Sequence, residues 1–167
     1  MTRSYDADFA AFATAAIPGL SKSAYLICGD WHRAEDAVQE ALIKVYRAWP
    51  RVERRESLLA YTRRATVRVL IDGSRRPWRR ETSTDDLPVR LVADETGGID
   101  DRDEIVRALA TLTPRRRACI VLRYFADLSI AETAETLRCA EGTVKRQTSD
   151  ALRALRDQLD IELTETR

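Results

Sequence analysis

Apolar residues recur at three- and four-residue spacing along most of this chain, and no stretch shows the strict alternation typical of a half-buried strand. Such spacing places the apolar side chains on one face of a helix. The first half carries this pattern from Phe9 to Trp49 and again from Leu58 to Val69, and the second half carries it between residues 105 and 159. The sequence therefore predicts an all-α protein made of two small helical domains.

A strongly acidic strip separates the two helical halves. Residues 81–104 hold nine acidic residues against two arginines, include Pro88 and Gly97, and show no helical period. Stretches of this kind bury too little apolar surface to fold by themselves. We therefore expect one helical domain over residues 1–80, a flexible acidic linker over 81–104 and a second helical domain over 105–163.

Positive charge is concentrated on either side of that strip, although the whole chain carries a net charge of only +1. Residues 51–80 contain ten arginines against three acidic residues, and residues 105–159 contain ten basic residues against six acidic ones. Clustered basic residues are the electrostatic footprint of nucleic-acid binding. The charge pattern therefore indicates two basic modules flanking an acidic linker.

Several classes of function are disfavoured by what the sequence lacks. The three cysteines, Cys28, Cys119 and Cys139, are an odd number at wide spacing, which fits reduced thiols better than a disulfide framework. Cys28 and His32 lie four residues apart, but no second ligand pair accompanies them, so we expect no metal site. There is no Gly-rich phosphate loop and no nucleophile elbow, and we expect neither an enzyme nor a cofactor. No apolar run could cross a bilayer and no secretory signal opens the chain, so we expect a cytoplasmic protein.

A helical hairpin is predicted in the C-terminal half. Thr113 followed by Pro114 favours a helix start, because Thr can cap free amide groups and Pro needs no partner for an N–H there. We expect this helix to run to about Ala126. Ser129 and Glu132 have the spacing of a capping box, which predicts a short helix over residues 130–137.

A second helix is expected to begin at Glu141, after the three-residue connection from Arg138 to Ala140. Two short helices joined by such a turn are typical of the helix-turn-helix, whose second helix enters the major groove of DNA. The alternative is a generic helical hairpin with a solvated charged face. The predicted buried stripe of the second helix is Val144, Ala151, Leu152 and Leu155. Its candidate DNA contacts are Thr143, Lys145, Arg146, Gln147 and Ser149.

Both halves of the chain resemble the sigma factors of bacteria. The segments that resemble the fourth sigma region are residues 112–117, 121–125, 128–132 and 141–145. The segment AEDAVQEA, residues 34–41, is similar to the second-region helix with which these factors hold RNA polymerase core. The segments that complete the second-region pattern are Tyr25-Leu26, Gly29-Asp30, Ile71-Asp72 and Arg75-Arg76. The short chain, with only a linker between the two regions, resembles the extracytoplasmic-function (ECF) group of the sigma-70 family, and residues 29–32 resemble its actinobacterial sigma-E-like members.

The resemblance implies a factor that binds the β and β′ subunits of RNA polymerase core and directs transcription initiation at specific promoters. It would recognise the downstream (−10) and the upstream (−35) promoter elements, and an anti-sigma factor would be a further partner. On the core-binding helix, carboxylates and an amide share one side, a suitable surface for basic residues of the polymerase clamp. The predicted core-binding residues are Glu35, Asp36, Gln39 and Glu40. The alternative is that this acidic face contacts only water and binds no partner.

The Arg-rich segment lies where family members bind the downstream element. Clustered arginines neutralise phosphates without reading sequence, while a base taken out of the duplex needs an aromatic or polar receptor. Tyr61 is the candidate for stacking on the strand, although a buried aromatic is an equal alternative, and Trp78 is expected to be exposed. The predicted downstream-element contacts are Tyr61, Arg64, Arg68, Arg75 and Arg76.

Four positions depart from the family pattern. Arg68 stands where many relatives carry Asn, and Arg138 stands where they often have Gly. Ala140 replaces a frequent Ser cap, and Asp150 replaces a basic residue, which would weaken phosphate contact at that end of the second helix. Two other functions compete with a sigma factor. They are a helix-turn-helix regulator that does not dock on polymerase, and a sigma-like protein that binds polymerase without opening promoters.

Overall fold

The computed structural model describes the backbone of residues 2–52, 57–74 and 99–165. Side chains are described for residues 5–52, 57–73, 102–158 and 160. The α-helices are α1 (Thr2–Cys28), α2 (Trp31–Ala48), α3 (Leu58–Ser74), α4 (Ile99–Ala110), α5 (Pro114–Ile120), α6 (Ile130–Leu137) and α7 (Glu141–Glu165). A 3₁₀ turn (Trp49–Arg51) follows α2, and a π-helical turn (Val121–Phe125) follows α5. The described ranges contain no strand, and the all-α prediction is confirmed.

The described residues fall into two compact units. The first holds residues up to 25 and 30–74, and the second holds residues 26–29 and 99–165. Over these same residues, no helix combines the length and the apolar character that crossing a membrane requires. The domain boundaries given above stay predictions, and most of the predicted linker lies outside the described residues.

The core of the first unit forms around Trp49, at the end of α2. Trp49 packs with Val45 and Leu58, and Phe9 and Phe12 of α1 lie against them. The Phe9 ring meets the Trp49 ring edge-on at 5.4 Å between centroids, which is a preferred geometry for aromatic pairs. The apolar stripe predicted from Phe9 to Trp49 therefore does bury the end of α2, which fixes α2 against α1.

The α1–α2 turn depends on two local devices. Gly29 adopts φ +71°, where a side chain would be strained, and it reverses the chain. Asp30 then caps α2, because its carboxylate accepts a hydrogen bond from the Arg33 N–H at 3.1 Å. Tyr25 and Trp31 stack with ring centroids 4.1 Å apart and planes only 4° from parallel. The start of α2 is thus fixed on both sides of the turn.

Helix α3 packs on α2 through a face that the sequence only partly indicated. Leu58, Thr62 and Thr66 are buried at four-residue spacing, and the two threonine hydroxyls donate to the carbonyls one turn earlier, at 2.7 and 2.9 Å. Leu59 belongs to the apolar pattern noted between Leu58 and Val69, but it is exposed and does not join the buried face. The reason is geometric, since Leu59 lies about 100° around the helix from Leu58 and points away from α2.

In the second unit, Arg117 ties the end of α4 to α5. Its guanidinium donates hydrogen bonds to the carbonyl oxygens of Leu109, Leu112 and Ala110 at 2.8, 3.1 and 3.2 Å. Leu109 and Ala110 are the last residues of α4 and Leu112 lies just beyond it, so these carbonyls accept no hydrogen bond from within α4. Arg117 therefore works as a structural cap.

Two expectations about the helix ends need correction. Thr113 occupies the N-cap of α5, but its hydroxyl makes no capping hydrogen bond. Helix α4 begins at Ile99, before the first apolar position used to predict it, Ile105. The last residues of the predicted linker are therefore helical.

Candidate functional site

The start of the first helix in the helix-turn-helix of α6 and α7 is set by a capping interaction that can be recognised in the sequence. The Ser129 hydroxyl accepts from the Glu132 N–H at 3.1 Å, and the Glu132 carboxylate accepts from the Ser129 N–H at 2.7 Å. This capping box starts α6 at Ile130, and α6 ends at Leu137, as predicted. Helix α7 begins at Glu141, also as predicted.

The turn between the two helices requires an unusual backbone at Arg138. Its φ of 51° and ψ of 54° lie in the left-handed region that favours glycine. The following Cys139 N–H donates to the Ala134 carbonyl at 3.0 Å, which closes α6 in the manner of a left-handed helix end. This geometry explains why a glycine would suit the position. Arg138 is therefore a strained residue in the turn between α6 and α7.

The first turns of α7 present the predicted DNA contacts. Lys145, Arg146 and Ser149 are exposed, whereas Thr143 and Gln147 are half-buried beside the buried stripe. Val144 and Ala151 are fully buried, as predicted. Leu152 was assigned to this stripe but is 38% exposed, so that assignment is wrong. Val144, Ala151 and the half-buried Leu155 suffice to hold α7, and Leu152 lies beside their stripe rather than in it.

The acidic face of α2 is presented as the sequence indicated. Glu35, Asp36, Gln39 and Glu40 are all exposed, while the opposite face is buried. The buried positions are Ala34, Ala37, Val38, Ala41 and Val45. The Lys44 ammonium lies 2.9 Å from Glu40 Oε1 one turn along, and both side chains are about half exposed.

One residue of this face was missed by sequence reasoning. Ile43 is 52% exposed and lies three and four residues after Glu40 and Gln39, so it shares their side of the helix. The spacing of Ile43 is visible in the sequence, but a single apolar residue beside an acidic face does not by itself indicate a binding surface. The surface is thus acidic with an exposed apolar residue at its C-terminal end, a composition that suits a protein partner.

A cleft between α2 and α3 brings residues of two predicted sites together. Its volume is about 390 Å³. Predicted core-binding residue Glu40 lines it beside the predicted downstream-element contacts Tyr61, Arg64 and Arg68. The remaining lining residues are Lys44, Ala65, Val69, Asp72 and Gly73. Tyr61 is 43% exposed, which favours the stacking alternative over a buried aromatic.

Three other predicted positions cannot be placed. Arg75 and Arg76, predicted as downstream-element contacts, and Trp78, expected to be exposed, lie outside the described residues. The placed members of the downstream set are therefore Tyr61, Arg64 and Arg68, all on α3.

Comparison with known proteins identifies both halves of the chain. The family model "Sigma-70 region 2" matches residues 8–80, and the model "Sigma-70, region 4" matches residues 102–155. The RNA polymerase sigma-E factor of Streptomyces avermitilis is 33% identical over 141 residues, which cover 84% of this chain and 79% of that protein. The ECF RNA polymerase sigma factor SigK of Mycobacterium ulcerans is 35% identical over 135 residues, covering 76% of this chain and 72% of the relative.

A solved structure agrees on the fold. The sigma factor RpoE of Bartonella quintana, in complex with the anti-sigma factor NepR, superposes with a TM-score of 0.72 at 24% identity. The superposition covers 92% of this chain and 98% of that one. Since models of the second and fourth regions match in the right order and account for most of the residues, this chain belongs to the sigma-70 family of RNA polymerase sigma factors, in its ECF group.

Proposed function

We propose that this sigma-70 family chain binds RNA polymerase core through α2, contacts the downstream promoter element through α3 and contacts the upstream element through α7. The observation that carries the proposal is the α6–α7 helix-turn-helix, whose second helix exposes Lys145 and Arg146 in its first turns. A helix-turn-helix uses these turns of its second helix to reach base edges. The role is binding rather than catalysis, and its place is the cytoplasm.

The proposed core interface is the acidic face of α2. Carboxylates arranged on one side of a rigid helix steer a basic partner and fix its register. Ile43 lies one turn after Gln39 and Glu40 on the same side of α2, and it would add apolar area that is desolvated on binding, which is the usual source of affinity at an interface. The polymerase β′ clamp is the proposed partner for this face, and β is proposed to meet the second unit.

The proposed downstream-element contacts divide into two tasks. Arg64 and Arg68 supply positive charge to the cleft beside α3, where they would neutralise phosphates. Tyr61 exposes an aromatic ring at the same cleft, where an unstacked base could lie on it. Arg75 and Arg76 are proposed to extend this surface.

Transcription in vitro tests the proposal. Bacterial core polymerase is incubated with or without the chain on sheared genomic DNA of the source organism, and transcript 5′ ends are sequenced. We expect new start sites that share sequence elements at the two promoter positions. Association with core without any new start site would favour the alternative of a sigma-like protein that does not open promoters.

Two point variants separate the proposed interfaces. Glu40→Arg should weaken binding to core about tenfold or more, because it places a like charge against a basic clamp. Lys145→Ala should weaken binding to the upstream element with core binding intact. Asp157→Arg, on an exposed carboxylate of α7, is the charge-matched control for Glu40→Arg and should leave binding to the β′ clamp unchanged. The same defect from Glu40→Arg and Lys145→Ala in both assays would refute the assignment.

We also propose an anti-sigma factor as a regulatory partner, because the structurally similar RpoE was solved with one. The part of the predicted linker that precedes α4 would let the two regions rearrange around such a protein. Purification of the tagged chain from its own organism, followed by mass spectrometry, should recover a protein that blocks the new transcription. Recovery of polymerase subunits alone would contradict this partner.

A further inference from the structure

Asp150 of α7 contacts two arginines that were assigned no part in DNA binding. Its Oδ2 lies 3.3 Å from Nη2 of Arg116 on α5, and its Oδ1 lies 4.0 Å from Nη1 of Arg153, one turn further along α7. Each carboxylate oxygen therefore faces a different guanidinium. The Asp150 and Arg116 side chains are 30% and 36% exposed, so the centre of this cluster is partly shielded from water.

The cluster lies next to the proposed DNA contacts. Arg146, Asp150 and Arg153 follow one another at spacings of four and three residues, which places them along one side of α7. The adjacent Arg117 is used differently, because its guanidinium is bonded to the carbonyls at the end of α4. Arg116 instead reaches the second helix of the motif.

The charges of the cluster leave a positive balance. One carboxylate against two guanidinium groups gives a net charge of +1, and 70% of the Arg153 side chain is exposed. A guanidinium carries five N–H donors, so a contact with Asp150 leaves donors available for a second anion. Holding such a side chain in place beforehand lowers the entropy cost of binding.

We propose that Arg116, Asp150 and Arg153 form a binding site for a phosphate of the DNA backbone. Arg116 and Arg153 contact the phosphate, and Asp150 is a positioning residue that orients both guanidinium groups. The family pattern implied the opposite, that an acidic residue here weakens phosphate contact. The inference rests on the proposed function, since it requires α7 to lie on the upstream element.

Asp150 could either repel the phosphate or position the two arginines, and the direction in which Asp150→Asn changes DNA affinity distinguishes these two effects. Holoenzyme assembled from core and the full chain is titrated onto a fluorescein-labelled promoter duplex recovered by the transcription experiment, at several salt concentrations. If Asp150 only repels phosphate, Asp150→Asn removes a negative charge and strengthens binding. If Asp150 positions the arginines, Asp150→Asn weakens DNA binding, by about two- to fivefold for a partly buried ion pair. Asp150→Glu keeps the negative charge and should weaken DNA binding less than Asp150→Asn does.

The salt dependence reports on the arginines themselves. Arg116→Ala and Arg153→Ala should each lower the slope of log affinity against log salt by about 1, the value for one phosphate contact. Asp103→Asn removes an equal charge from an exposed site on α4, and it should not weaken binding. A variant that merely folds less well reduces the active fraction without changing this slope, and thermal melting measures that loss directly.

The outcomes distinguish this inference from the proposed function. Asp150→Asn binding as tightly as the parent or tighter, with Lys145→Ala weakened, overturns the inference and leaves the proposed function standing. Unchanged slopes for both arginine variants also overturn it. If Lys145→Ala binds like the parent, the proposed function of α7 fails as well.

Discussion

Arg138 shows how a single residue can oppose the motif that contains it. The turn of the helix-turn-helix requires the left-handed backbone found there, and a β-carbon in that region costs about 1 kcal/mol or more. The rest of the turn forms regardless, because the Cys139 N–H still bonds back to Ala134. Arg138 therefore reduces the stability of the second unit without altering its fold.

Arg138→Gly should raise the free energy of unfolding by about 0.5–1 kcal/mol, since relief of backbone strain exceeds the greater freedom of Gly in the unfolded chain. Urea denaturation followed by circular dichroism measures the change. Ala131→Gly, at an exposed position inside α6, is the control and should lower stability by about 1 kcal/mol. A loss of stability in Arg138→Gly would contradict the strain argument.

The three thiols should differ in reactivity because of burial. Burial raises the pKa of the Cys119 thiol to about 11, and the neighbouring Cys139 adds to this shift. The reactive thiolate is the deprotonated form, so two units of pKa reduce its population near neutral pH roughly a hundredfold. Cys28 and Cys139 are only half-buried.

With iodoacetamide at pH 8, Cys139 and Cys28 should be alkylated well before Cys119. Raising the pH towards 11 should accelerate the alkylation of Cys119, because its thiolate fraction is still rising there. Peptide mass spectrometry after timed quenching gives the three rates. Equal rates in the folded chain would contradict the burial of Cys119, and equal rates in urea are the expected control.

At the scale of elements, the first residue of helix α6 could be predicted from the sequence, because a local capping interaction sets where the helix starts. A capping box needs only two side chains three positions apart, so no tertiary information is required. The face of α3 was not predictable in this way. Leu59 and Leu58 are both apolar and adjacent, and only the position of α2 decides which of them is buried. The π-helical turn after α5 likewise has no signature in the periodicity of the sequence.

Ser129→Ala should destabilise the second unit by about 1 kcal/mol, because the Glu132 N–H loses its acceptor. Chemical denaturation provides the measurement. Thr113→Ala is the matched control, as Thr113 occupies a helix N-cap but its hydroxyl makes no capping bond. It should cost much less, and equal losses from the two substitutions would contradict the difference between these caps.

For the molecule as a whole, the sequence predicted the order of the two helical regions and the charge of their surfaces. It did not predict that residues of two separate predicted sites would line one cleft. The family resemblance predicted that Glu40 belongs to a core-binding face and that Tyr61 and Arg64 contact DNA. Their common cleft arises from the packing of α3 on α2, which brings together residues some twenty positions apart in the chain. In the same way, Asp150 could be recognised as unusual, but its contact with Arg116 depends on the packing of α7 beside α5.

The ion pair between Glu40 and Lys44 has a consequence for the proposed core interface. Glu40 already has a counter-ion on its own helix, so an arriving basic residue of the clamp replaces one cation with another. The net Coulomb gain of such a replacement is small, because an exposed pair contributes little to begin with. In the proposed complex, Glu40 therefore contributes to the orientation of the clamp more than to its affinity.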